Sequence, residues 1–280
     1  MRAWALALAF VAIIAACGGD EQPPAELLTE TGFADKAAAA IITSSELRAE
    51  PLRGPKVAVA SDTSLSTFDL PLAQPYADYK AEPQQLDAIL RDVVAEAETT
   101  MERGNADTRF AEGRSRILPL LKPVTALRNQ ADEPATSRFP GNLYVVYLVE
   151  RPDSLTAVSR KDLEAWGRSL DEVHETAVAN LLRQTNRDEP LRCEEDLCGW
   201  ASGDGWDASR LVVPELRRQI VREIGPSVYA VPTEGVYVAL PIELADRIRS
   251  RVEHDFVTAE DPVSQDLFVE RGGELVVLRS

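Results

Sequence analysis

Between Ser159 and Val213 the chain carries denser structural punctuation than anywhere else, and that stretch narrows what it can fold into. Ser159 and Asp162 are spaced as a helix start, and Gly167, which can adopt the left-handed conformation, ends a short helix running to Trp166. Ser169-Leu170-Asp171-Glu172 is a capping box that opens a second helix, with Leu170, Val173, Ala177 and Leu181 along one face. Two helices joined at a glycine superficially match a helix-turn-helix DNA reader, but the second opens on two acids. The whole chain holds 30 Lys+Arg against 46 Asp+Glu, a net charge of −16 that repels a phosphate backbone, so nucleic acid is not an expected partner.

The same stretch holds Cys193 and Cys198, separated by Glu194-Glu195-Asp196-Leu197. Two readings compete. A zinc site needs two further soft ligands, and the only histidines, His174 and His254, are not spaced as partners. A small-loop disulfide needs only an oxidising compartment, and it is the expectation; no metal and no cofactor are expected. Asp204-Gly205-Trp206-Asp207-Ala208-Ser209-Arg210 follows directly. Trp200 and Trp206 can wall a shallow apolar pocket in which Asp204, Asp207, Ser209 and Arg210 contact a ligand. The alternative is an Asx-type turn feeding a strand, with Arg210 paired to a carboxylate and both tryptophans in the core.

Compartment is set by the first residues. Met1 and Arg2 precede an unbroken apolar run, Ala3 to Ala16, too short to span a bilayer comfortably, and polar, glycine-rich sequence follows at once. Ile14-Ala15-Ala16-Cys17 resembles the lipobox of bacterial lipoproteins. That resemblance implies a signal peptide over residues 1–16, cleavage before Cys17, diacylglycerol on its thiol, and a membrane as partner through the lipid. The alternative is an ordinary secretory signal with an incidental cysteine. Gly18 stands where Asp would resemble an inner-membrane retention signal, which favours the outer membrane in a host with two. Residues 17–31, polar and carrying paired prolines, suit a tether.

Across the remainder, Phe33, Ala37 and Ile41 predict a short helix over 33–43, and residues 56–60 and 64–70 predict two strands. Pro71 and Pro75 break the pattern; Pro83 precedes a helix with Leu86, Ile89, Leu90, Val93, Val94 and Ala97 in one stripe. After a loop over 104–113, Ile117 to Leu121 with its central Pro119 reads as an extended edge segment. Leu143 to Glu150 is a strand rich in β-branched and aromatic residues. The polar connection 129–141 marks a candidate boundary between a part over 32–135 and one over 136–280, unless the two are one continuous domain. Beyond Val213 the patterns follow the order α-β-β-α-β-β, with hairpins turning at Pro232–Gly235 and Gly272–Gly273. The expected class is α+β: a largely antiparallel sheet of hairpins with helices packed on one face.

No nucleophile elbow, phosphate loop, zinc-protease helix or calcium loop is present. His174-Glu175 lacks the second histidine of a zinc-protease signature, and no catalytic residue is assigned. Leu163, Trp166-Gly167, Ser169-Leu170, Ala177, Asn180-Leu181, Asp204-Gly205, Asp207 to Leu211 and Val231-Pro232, with Leu70-Pro71-Leu72, Tyr76 and Pro83 upstream, resemble the YtpQ-like family of bacterial proteins. That family has no established function and supplies no catalytic residues; the lipobox, tether and cysteine pair are departures from it. The functional expectation is a membrane-anchored domain that binds a ligand or an envelope protein. Two alternatives stand beside it: an extracytoplasmic hydrolase using the carboxylates of the Asp204–Arg210 turn, and a structural envelope protein.

Overall fold

The computed structural model describes residues 27–61, 65–103, 109–127 and 134–279, so residues 1–16, Cys17 and most of the 17–31 segment lie outside the described residues. The folded part begins before the sequence periodicity shows it. Thr29 accepts a hydrogen bond from Gly32 N and opens α1 (Glu30–Ser44). Leu28 is tied down on both sides: its N–H donates to Tyr79 OH at 3.0 Å and its carbonyl accepts from Tyr76 OH at 3.1 Å. Residues 28–31 therefore belong to the domain rather than to a tether.

The buried face of α1, Phe33, Ala34, Ala37, Ala38 and Ile41, packs on an antiparallel meander of β1 (Leu47–Pro51), β2 (Lys56–Ser61) and β3 (Thr67–Pro71). Alternate meander residues, Val57 and Val59 among them, point into that core. Two helices complete the cover: α2 (Ala73–Ala81) and α3 (Leu86–Arg103). In α2, Pro75 sits in the first turn, where a backbone N–H would have no helical partner to lose; the proline is compatible with the helix instead of ending it.

After the one-turn α4 (Phe110–Gly113) come β4 (Ile117–Pro123), β5 (Thr136–Phe139), β6 (Leu143–Arg151) and β7 (Ser154–Ala157). Strand β6 is the spine of this sheet. One edge pairs with β4 over seven residues, and the other is shared by β5 and β7. Because β7 also pairs with β3, the meander joins on to make seven antiparallel strands. Pro119 costs β4 nothing on its far side, where the next free N–H, that of Leu121, donates to Ser209 Oγ at 3.0 Å. Strands β4 and β6 flank the 129–141 connection and pair with each other, so one sheet runs across residues 135 and 136.

The predicted helix start at Ser159 and the predicted capping box at Ser169 both form, each as a capping box. Ser159 and Asp162 open α5 (Arg160–Trp166), which ends at Gly167 with φ 61°, and Ser169 and Glu172 open α6 (Leu170–Asp188). Helix α6 lays Val173, Ala177 and Leu181 against β4, and its buried Asn180 donates to the carbonyls of Arg114 (2.6 Å) and Ile117 (2.9 Å), where the chain enters that strand.

A second sheet follows, built from β8 (Arg192–Glu194), β9 (Leu197–Trp200), β10 (Ser227–Ala230), β11 (Tyr237–Pro241), β12 (Leu267–Arg271) and β13 (Glu274–Val277), in the order β13-β12-β10-β11-β9-β8. With α7 (Pro214–Ile224) and α8 (Ala245–Thr258) it gives the expected α-β-β-α-β-β succession, and the fold is α+β with antiparallel sheets. The helices do not share one face. Tyr229 packs with Leu216 and Ile220 of α7 in one core, whereas Val228 and Ala230 pack with Val252 of α8 in another. All four residues of β10 are buried, so each face of the sheet needs its own cover. The α7 core also takes in Leu121, Tyr147 and Leu181, which fuses the two sheets. Among the described residues, no helix is long and apolar enough to cross a membrane.

Candidate functional site

The cysteines stand directly opposite each other on β8 and β9 and are bonded, with S–S 2.02 Å. Glu195, at φ 52°, turns the hairpin between them. A disulfide on this edge hairpin is consistent with a place outside the cytosol.

The Asp204–Arg210 segment is a filled structural knot that feeds a turn of 3-10 helix, Ala208–Val212, in place of the expected strand. Arg210 is 0% exposed. It donates to Thr185 Oγ1 (3.1 Å), to Asp207 Oδ1 (2.6 Å) and to both oxygens of Asp204 (3.0 and 2.6 Å). Asp207, equally buried, also accepts from Ser202 N, Ser202 Oγ and Gly203 N. Asp204 further accepts from Trp206 N at 2.8 Å, the Asx turn anticipated above. Burial pushes the Asp204 carboxyl up, but the Arg210 guanidinium and the Trp206 N–H outweigh it and hold the group below its ordinary value.

The other singled-out residues are structural in the same sense. Ser209 accepts from β4, Trp206 is buried, and Trp200 stacks on Tyr237 at 5.4 Å while its Nε1 donates to Glu189 O at 2.9 Å. Trp200 does reach a shallow depression of about 160 Å³ beside Leu197 and Cys198.

A different polar group converges on a larger cavity, of about 390 Å³, framed by β5, β6, α6, the 208–212 turn, α7 and β13. Ser137 of β5 and Tyr147 of β6 lie on one sheet face, since Ser137 is paired with Val145, two residues from Tyr147. Their hydroxyls are 2.5 Å apart, and Tyr147 OH is 2.9 Å from Nδ1 of His174, whose ring meets the tyrosine edge-on. Arg217 of α7 reaches the cavity after donating from Nε to Glu270 (2.7 Å) and from Nη1 to Leu211 O (2.6 Å). Burial lowers the His174 pKa against the pull of Asp171 and Glu175, and burial raises Tyr147 to about 12 despite its bond to Ser137. Both are therefore neutral near pH 7.

Of these residues the sequence singles out His174 alone, through the His174-Glu175 pair. Ser137, Tyr147 and Arg217 lie on three separate elements with no motif spacing, and only the 3.6-residue phase of α6, which puts His174 one position from inward Val173, hinted at its direction. No protein-family model, curated protein or solved structure matches the chain.

Proposed function

We propose that this chain is a lipid-anchored bacterial lipoprotein, related to the YtpQ-like proteins, whose exported domain acts by binding a small ligand or an envelope protein. The anchor rests on the lipobox resemblance at Ile14–Cys17, and buried acyl methylenes at about 0.8 kcal/mol each would hold a domain that has no spanning helix among its described residues. The Cys193–Cys198 bridge supports the compartment.

The observation that carries binding over hydrolysis is the state of the 204–210 turn. Every carboxylate oxygen of Asp204 and Asp207 accepts a hydrogen bond from within the protein, and Arg210 spends all three nitrogens on Asp204, Asp207 and Thr185. A general acid or base needs a carboxyl that trades its proton near the working pH; Asp204 is held ionised instead. Exposed large apolar side chains, such as Leu197, Ile242 and Val257, sit on separate elements, which gives the structural-envelope alternative little support.

Mass spectrometry of protein purified from its native membrane is expected to find a mature chain starting at a lipid-modified Cys17, with Cys193 and Cys198 linked. Recovery from the cytosol with residues 1–16 attached and three free thiols would overturn the anchor, the compartment and the binding role together.

A further inference from the structure

We propose that the His174 cavity binds the carboxylate of a small apolar acid, gripped between His174 Nε2–H and the Arg217 guanidinium. The inference deepens the binding role above and rests on it.

The first support is the direction of the proton chain. Tyr147 OH stands between Ser137 Oγ and His174 Nδ1 and has one hydrogen to give. A phenol is a stronger acid than the N–H of a neutral imidazole, so Tyr147 donates to Nδ1 and accepts from Ser137. His174 then carries its proton on Nε2, which no hydrogen bond among the described residues engages. The ring is held at Nδ1, and His174 lines the cavity, so Nε2–H is the ring donor left for a ligand there. The second support is Arg217, buried at 6% exposure and clamped by Glu270 and Leu211 O, which leaves Nη2 without a partner among the described residues. Two immobilised donors on one cavity suit an oxygen acceptor with two lone-pair faces.

Charge and shape narrow the class. Glu270 offsets part of the Arg217 charge, so the site holds less than one net positive charge; a monocarboxylate leaves less negative charge uncompensated there than a dianion such as phosphate, and His174 adds a neutral donor. Phe139, Val145, Val212 and Leu275 give the walls apolar surface for the body of the ligand. Arg138 and Glu274, one of each sign, stand at the cavity margin and add no net charge. A volume of about 390 Å³ accommodates a branched or aromatic acid of a few carbons.

Calorimetric titration of the full lipoprotein in detergent with 4-methylpentanoate and benzoate is expected to show saturable binding, with 4-methylpentanamide and inorganic phosphate about tenfold weaker or worse. His174→Phe should weaken the carboxylate about tenfold or more, the worth of one charge-assisted hydrogen bond, while His174→Gln, whose amide N–H replaces Nε2–H, should stay within about threefold of wild type. Failure of both acids to bind the folded protein overturns the proposal, as does binding that His174→Phe leaves unchanged. If both acids fail while the same preparation retains a specific envelope ligand or protein partner, only the carboxylate assignment falls; if nothing is retained either, the binding role itself falls.

Discussion

Replacing Arg210 by methionine tests whether the 204–210 turn is the structural knot described above. Methionine keeps most of the apolar stem and deletes every donor. Four hydrogen bonds disappear, and Asp207, 0% exposed, is left buried opposite no cation. Removing one partner of a buried ion pair costs about 3–5 kcal/mol. At roughly 2–4 °C per kcal/mol for a chain of this size, Tm should fall by about 6–20 °C. Thermal and urea unfolding at pH 7 read this directly. Combining Asp207→Asn with Arg210→Met removes the stranded charge, so the double variant should be less destabilised than the two single losses summed. The reasoning is refuted if Arg210→Met stays within about 0.5 kcal/mol of wild type, the range of an ordinary surface substitution, or if the double variant shows strict additivity. Acid should weaken the same knot. The Asp204 pKa is depressed in the folded state, so its contribution is complete above the ordinary carboxyl value of 3.8 and is lost as pH falls through the depressed value; Asp204→Asn should flatten that part of the pH–stability curve.

Three further outcomes are expected. Gly199→Ala would set a Cβ on the Tyr237 carbonyl oxygen across the β9–β11 pair, and urea unfolding should show a loss of about 3 kcal/mol, the upper range for overpacking. Cys193→Ser with Cys198→Ser frees a loop with a sequence separation of 5, and chain entropy puts the lost stability at about 2 kcal/mol, measurable against the oxidised protein. His174, with its pKa lowered below 6.5 by burial, takes up a proton in the unfolded chain before it does so in the folded one. Stability should therefore decline as pH drops below about 6.5 and level off under the folded pKa, and His174→Phe should remove that slope.

Much of the fold is written locally. The boxes at Ser159–Asp162 and Ser169–Glu172, the glycine stop at Gly167 and the run Leu143–Glu150 each act through neighbours a few residues away, and each forms its expected element. The elements without such signals are those held by distant partners. Strands β1, β5 and β7 are short and mixed in polarity, and exist because β2, β6 and β3 offer them an edge. Helix α2 has little apolar periodicity and holds through Tyr76 and Tyr79, which bond Leu28 just ahead of α1 and pack on Phe33.

The candidate sites divide along the same line. Sequence proximity put Asp204, Asp207 and Arg210 within reach of one another, because residues three and six apart can meet once the segment turns back on itself. Whether they faced a ligand or each other was settled by Thr185 and Ser202 closing over the guanidinium and the carboxylate, a burial that makes internal pairing compulsory. The cysteine pair was equally local, five residues apart across a two-residue turn. The Ser137–Tyr147–His174 chain and its facing Arg217 were fixed only when β5 took the edge of β6 and α6 and α7 packed against the shared core, since no short-range rule relates residues 10, 27 and 43 positions apart.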